Sequence, residues 1–426
     1  MSAAAQRFGA RAKYRRRVTI DTLQQAHSDL KAQGLKLDLT RGKPSPAQLD
    51  LSNPLLSLPG DGDYLSADGT DVRNYGGPDG LPEIRAIFGE LLGIPTEQLL
   101  ALDAVTLPIM HGTVVNALLN GVPGGDGPWR DVPDIAFLCP VPGYDRHFTI
   151  CEALGIRMIP VPFVDGALDL ATIAGLVAGD PAIRGMWCVP MYANPTGYSF
   201  TEAEVKALVE MPTAAADFRL MWDNAYAVHH LTDDEAPVID VLGLAEAAGN
   251  PDRPIVFAST SKITFAGGGI GFVGGSVATI AWVRKYNAAR NIGPDKVNQL
   301  RHARFLKDAE GVREHMRANR ELLAPKFALV EEILAERLSG AAEWTRPKGG
   351  YFVSLEAGDG CATRAIALAT EAGIAVTGAG APYPYGDDPR DSTIRIAPSF
   401  PSLDDLRTAI EGLCTCILLA QAERAQ

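Results

Sequence analysis

Five short apolar runs recur along the middle of this chain, at residues 135–139, 186–189, 220–222, 255–258 and 270–273, with helical stretches between most of them. A strand that is apolar throughout, with no polar alternation, is buried on both faces. Short runs of this kind separated by helices predict an α/β fold built on a mainly parallel sheet with helices on either side. The flanks read differently. Residues 18–36 predict a helix with Leu23, Ala26 and Leu30 on one face, and residues 37–44 a short extended piece ending in Arg41-Gly42-Lys43-Pro44. Residues 52–82, rich in Gly, Pro, Asp and Ser, predict irregular loop. A long amphipathic helix over 311–338 leads into an α+β unit: strands at 351–355 and 393–396, a helix at 362–372, and a last helix from Leu403.

Composition narrows the function classes. A net charge of -12 over 426 residues disfavours nucleic acid or an anionic membrane as partner, although local cations can still bind a small anion. Six scattered cysteines include the pair Cys414 and Cys416, which lacks a second ligand pair for zinc. Their usage fits core packing in a reducing, cytoplasmic setting. No apolar run is long enough to span a bilayer. Residues 7–17 are basic without the apolar core of a signal peptide and predict a solvated arm or first helix, with an organellar transit segment as the alternative.

The chemistry lies where the apolar runs end. Lys262 follows residues 254–258 in Ser259-Thr260-Ser261-Lys262. Upstream stand Asn194-Pro195-Thr196-Gly197 and Asp223-Asn224-Ala225-Tyr226. Asn, Asp, Tyr and Lys in that order are the groups needed to hold pyridoxal 5'-phosphate. An amine forms a Schiff base with its aldehyde and later moves a proton. A carboxylate keeps the pyridine nitrogen protonated, the role open to Asp223. Asn194 and Tyr226 can donate to the phenolate oxygen, and Tyr144, in Pro142-Gly143-Tyr144-Asp145, can stack on the ring. The phosphate needs N–H groups at a helix start together with hydroxyls. Gly112-Thr113-Val114 opens a helix-like run, and Ser259 and Ser261 flank the lysine. Each motif alone is commonplace. Their joint order at strand ends is not, because ligands of such sheets gather at the carboxyl ends of the strands.

From Gly42 to Arg395 the chain resembles the class I/II aminotransferases, pyridoxal phosphate enzymes of fold type I. The resemblance implies a large domain over 57–305 with a mainly parallel seven-stranded sheet. It implies a small domain formed by 1–56 and 306–426. Lys262 would carry the cofactor, Asp223 would pair with its nitrogen, and Asn194 and Tyr226 would contact its phenolate oxygen. Tyr144 would stack on its ring. Arg395, in Thr393-Ile394-Arg395-Ile396, resembles the arginine that grips the substrate α-carboxylate through a bidentate fork, with Gly42 and Asn194 beside it. Tyr75, in Asn74-Tyr75-Gly76-Gly77, matches a tyrosine that reaches a neighbouring subunit's phosphate, which implies a homodimer.

One departure stands out. Eight positions beyond the lysine the family carries an arginine for the phosphate, and this chain has Ile270 within Gly267-Gly268-Gly269-Ile270-Gly271. Either backbone N–H groups carry more of the phosphate or another cation, such as Lys296, replaces it. Residues 269–274 also spell G-x-G-x-x-G, but they read as strand, whereas a dinucleotide fingerprint bridges strand to helix. His229-His230 lacks nearby companions for a metal site.

The expected activity is transfer of an amino group from an L-amino acid to a 2-oxo acid by a ping-pong route. Arg41 and Lys43 around Gly42 resemble a divergent bacterial aspartate aminotransferase branch, so aspartate and 2-oxoglutarate are the expected pair. A second carboxylate would need a further cation, for which Arg41, Lys43, Arg146, Lys296 and Arg301 are candidates. Other amino acids, aromatic ones included, and a β- or γ-lyase reaction remain alternatives on the same fold. A DNA-binding regulator would need a reader domain, for which the roughly forty residues before Gly42 are too few.

Overall fold

The computed structural model describes residues 19–426, so the basic stretch 7–17 and the first residue of the helix expected from 18 lie outside the described residues. The first two strands are β1 (Leu37–Asp38) and β2 (Leu99–Ala101). Next come β3 (Ala136–Val141), β4 (Arg157–Val164), β5 (Ala167–Leu168), β6 (Ile183–Cys188), β7 (Arg219–Asp223), β8 (Pro254–Ser259) and β9 (Gly271–Gly274). Nearer the C-terminus lie β10 (Glu343–Trp344), β11 (Val353–Glu356), β12 (Ile374–Ala375) and β13 (Thr393–Ile396).

The main sheet has the order β2-β9-β8-β7-β6-β3-β4-β5. Strands β8, β7, β6, β3 and β4 are parallel neighbours, and β9 runs antiparallel to both β8 and β2. All five apolar runs are strands of this sheet. It has one strand more than the expected seven, because the two-residue β5 turns back on β4 through Asp165-Gly166. Both turn residues have positive φ, 50° and 77°, as a tight two-residue hairpin demands. β4 itself was not anticipated. Its two prolines and alternating exposure mark it as a strand close to the sheet edge.

Successive residues of a strand face opposite sides of the sheet. Leu138, Met186, Leu220 and Val256 accordingly join one buried cluster, while Phe137, Trp187, Met221 and Ile255 join another. Both faces are covered, which is why the strands read as unbroken apolar runs. The parallel strands therefore deliver the segments after Val141, Cys188, Asp223 and Ser259 to one edge.

The helix Ala309–Arg337, 29 residues and about 43 Å long, leads to the C-terminal unit. There β10, β11 and β13 form an antiparallel sheet. β1 pairs in parallel with β12, Leu37 opposite Ile374, so the N-terminal segment adds to this unit. The first helix is shorter than expected, Ile20–Ala32, with Gly34 in the left-handed region just beyond it. Within the loop expected at 52–82, Asn53–Ser57 forms a 3-10 turn. All six cysteines are buried free thiols.

Candidate active site

Asp223 ends β7 and is buried. His147 Nε2 donates to its Oδ2 at 3.0 Å, and its Oδ1 has no hydrogen-bond partner among the described residues. His147 is held in turn by stacking on Trp187, with centroids 4.2 Å apart and planes 5° from parallel. Tyr144 meets the edge of the same imidazole at 5.0 Å. The helix Asp145–Ala153 begins directly after Tyr144, so positions 144 and 147 share one side of its first turn. Sequence reading missed His147. Its i+3 spacing from Tyr144 was the available signal.

Lys262 follows β8 and lies with Nζ 4.9 Å from the centre of the Tyr226 ring. Burial lowers its pKa, and the Asp223 charge partly offsets that. Burial, and then the neighbouring Tyr144 and Asp223, push the Tyr226 hydroxyl well above its ordinary value. Burial also pushes Tyr144 up to about 12, with the Asp223 and Asp145 charges adding to it.

The backbone around Lys262 is gripped by buried or half-buried groups. Its carbonyl accepts from His229 Nε2 at 3.3 Å and from the Tyr351 hydroxyl at 3.3 Å. Gln48 Nε2 donates to that hydroxyl at 3.0 Å. His315 Nε2 donates to Ile263 O at 2.8 Å, and His302 Nε2 meets Thr264 Oγ1 at 2.9 Å. Burial drives His229 down to about 3 and His302 down to about 4, so both are neutral at physiological pH. His230 takes no part in this grip and pairs with the Tyr192 hydroxyl at 2.7 Å.

The helix start beside the lysine is not where the sequence suggested. The helix spans Thr106–Asn120, so Gly112-Thr113-Val114 lie well inside it. Thr113 Oγ1 bonds back to Ile109 O at 2.8 Å, as a buried mid-helix threonine does, and the three are excluded as N-terminal donors. The first turn begins after Val105, which offers no side-chain cap, and the preceding loop lies against the glycine-rich tract. Gly271 N donates to Asp103 O at 2.5 Å. A Cβ on Gly269 would come 3.0 Å from Ala104 O, and one on Gly271 2.7 Å from Val105 O. The glycines thus permit close passage of two backbones. Thr260 Oγ1 ties in Ile270 N at 2.9 Å, while the Ile270 side chain packs into the core. Ser259 sits at the end of β8, and Ser261 Oγ is buried without a partner. Arg290 pairs with Asp103, in the loop that leads into this helix. Lys296 is not a surface lysine: it is buried, with Nζ on Gly76 O at 2.7 Å.

Arg395 lies on β13 and is buried. Its Nη1 donates to Asp145 Oδ1 at 3.1 Å and to Asn194 Oδ1 at 3.3 Å. Its Nη2 donates to Thr377 Oγ1 at 3.2 Å, and its Nε is buried without a partner. Phe352 lies under the guanidinium at 5.1 Å, and a Cβ on Gly42 would sit 2.5 Å from Phe352 Cζ. Gly42 is therefore packed on the ring that supports Arg395.

Tyr75 stands apart, 82% exposed and outside this cluster. Of the further candidate cations, Arg301 donates from Nε to Leu58 O at 2.8 Å, and Lys43 pairs with Asp38 at 3.5 Å. Arg41 and Arg146 are exposed.

Three buried atoms without partners, Asp223 Oδ1, Ser261 Oγ and Arg395 Nε, thus line one region with Lys262. An unpaired buried polar atom costs about 1–3 kcal/mol. Their chemistry suits a protonated ring nitrogen, a phosphate and a carboxylate, so the residues present fit pyridoxal phosphate with an amino acid.

The comparisons agree with that geometry. A family model for aspartate amino-transferases matches residues 16–426. A putative aminotransferase of Mycolicibacterium smegmatis is 60% identical over 404 residues, 94% of either chain. An aspartate aminotransferase of Corynebacterium glutamicum is 51% identical over 405 residues, 95% of this chain and 94% of that one. The crystal structure of an aspartate transaminase from that species superposes with a TM-score of 0.93 at 51% identity, covering 96% of each chain. This chain therefore belongs to the aspartate amino-transferase family and is an aminotransferase of fold type I.

Proposed function

We propose that the chain uses pyridoxal 5'-phosphate to move the amino group of aspartate to 2-oxoglutarate by a ping-pong route, as a homodimer. The observation that carries this is Lys262 and the free Oδ1 of Asp223 at the ends of β8 and β7, with Arg395, its Nε free, reaching across from β13 to Asn194 and Asp145. When bound, the cofactor supplies an electrophilic carbon and an electron sink.

The chain's own residues supply the rest. Lys262 is the covalent anchor and the proton carrier, and its lowered pKa favours the neutral amine that work needs. Asp223, fixed by His147, holds a positive charge at its Oδ1. Tyr144 covers one ring face, while Asn194 and Tyr226 serve the ring oxygen. Ser259, Ser261 and the N–H groups of the Thr106–Asn120 helix start serve the phosphate. The positive end of that helix adds to Arg290 where position 270 offers no charge. Arg395 receives the α-carboxylate, with Gly42 and Asn194 beside it.

The exposure of Tyr75 supports a role across a subunit boundary. Among the described residues no helix is long and apolar enough to cross a membrane. The substrate pair follows the names of the relatives and the exposed Arg41 and Arg146 near the site. An absorbance screen of half-reactions across amino acids tests it. Aspartate and glutamate should convert the bound cofactor to its amino form. Conversion only by aromatic or aliphatic amino acids, or release of ammonia or thiol without an oxo acid, would reject this assignment.

A further inference from the structure

We propose that Asp145 is a built-in competitor for the substrate carboxylate at Arg395, and so sets how tightly amino and oxo acids are held. This rests on the reading of Arg395 as the carboxylate-binding residue.

Arg395 has a side chain only 7% exposed, whereas that of Asp145 is 30% exposed. A guanidinium so buried needs an anion, because an unpaired buried charge is strongly unfavourable. The Asp145 carboxylate, 3.1 Å from Nη1, is that anion. The neutral partners Asn194 and Thr377 take one further N–H each, and the N–H of Nε and one N–H of Nη2 are left over. An incoming carboxylate binds best across two parallel N–H groups. It either takes the Nε edge and sits beside a second anion, or displaces Asp145 from Nη1. Both routes weaken substrate binding.

The half-exposed position of Asp145, at the first residue of its helix, lets it exchange the ion pair for water when substrate arrives. It then re-pairs when product leaves. A ping-pong cycle needs this reversibility, since one arginine must release an oxo acid before the next is bound. Asp145 is a positioning residue in this scheme: it tunes Arg395 and touches no reacting atom.

The test uses the holoenzyme with Asp145→Asn, which keeps the size and an acceptor oxygen but removes the charge, and Asp145→Ala. Maleate, an inert dicarboxylate, serves as the calorimetric probe, and KM and kcat are measured for donor and acceptor. Both variants should bind maleate about five- to tenfold more tightly and lower KM in parallel, with kcat unchanged or reduced by slower release. The gain should shrink as salt is raised. An orienting role alone predicts weaker binding for the Ala variant and no change for Asn, and either result would overturn the proposal. Arg395→Ala separates the two levels. If it leaves maleate affinity intact, the reading of Arg395 fails; if affinity is lost while Asp145→Asn is silent, only the present inference fails.

Discussion

Acid should unfold this protein with a proton uptake traceable to the histidines around Lys262. His229 and His302 are held at about 3 and about 4 in the folded chain by burial. In an unfolded chain they return to about 6.5. Over the interval between those values the unfolded state binds protons that the native state refuses. The stability gained by keeping them neutral is complete above about pH 6.5 and drains away as pH falls toward 3–4. Between pH 7 and 5 the linkage amounts to roughly 2 kcal/mol per histidine.

The geometry explains why protonation is resisted. His302 Nδ1 donates to Asn298 O at 2.8 Å, so Nε2 is the acceptor for the Thr264 hydroxyl. A second ring proton would put a charge on a fully buried ring, where the cost of desolvation opposes it. Calorimetric unfolding at pH 5.5 in buffers of different ionisation enthalpy counts the protons taken up and needs no two-state assumption. Each histidine should contribute about 0.9 proton. His302→Gln and His229→Asn, which keep a polar group in place, should each remove that amount. If either variant takes up as many protons as the parent, that histidine is already charged in the folded state and the neutral grip on the lysine loop is refuted.

Two further outcomes follow from the site. Lys262→Ala should abolish the visible absorbance of the bound cofactor and turnover together, and persistence of either overturns its role. His147→Phe keeps the stack on Trp187 but removes the one hydrogen bond that the Asp223 side chain makes among the described residues. It should cost about 1.5–3 kcal/mol in denaturant stability and speed cofactor loss on dialysis; an unchanged rate of loss would mean Asp223 needs no support from behind.

Much of the fold was legible because burial writes itself directly into strands. A strand covered on both faces has no polar position to spare, so residues 135–139 and 220–222 announced themselves. β4 did not, since Pro160, Pro162 and its exposed residues blur the run near the edge. The site showed the same division. Asp223 and Lys262 were readable because the first ends a buried strand and the second follows one by three residues, where the chain must emerge at the sheet edge. The helix start expected at Gly112 lies six residues earlier, at Thr106. Its helix has no capping side chain at Val105, and the usual N-terminal signal was therefore missing.

The sequence by itself determined the strands buried on both faces, the order of the Asn, Asp, Tyr and Lys motifs, and hence the class of chemistry. Periodicity and residue type are local properties, and local rules read them. Only the tertiary structure decided which groups meet across hundreds of residues: His147 on Asp223, Asp145 on Arg395, and three histidines on the loop after Lys262. Those pairings depend on where separate elements pack, and the need to satisfy buried polar atoms selects them after the chain has closed around its core.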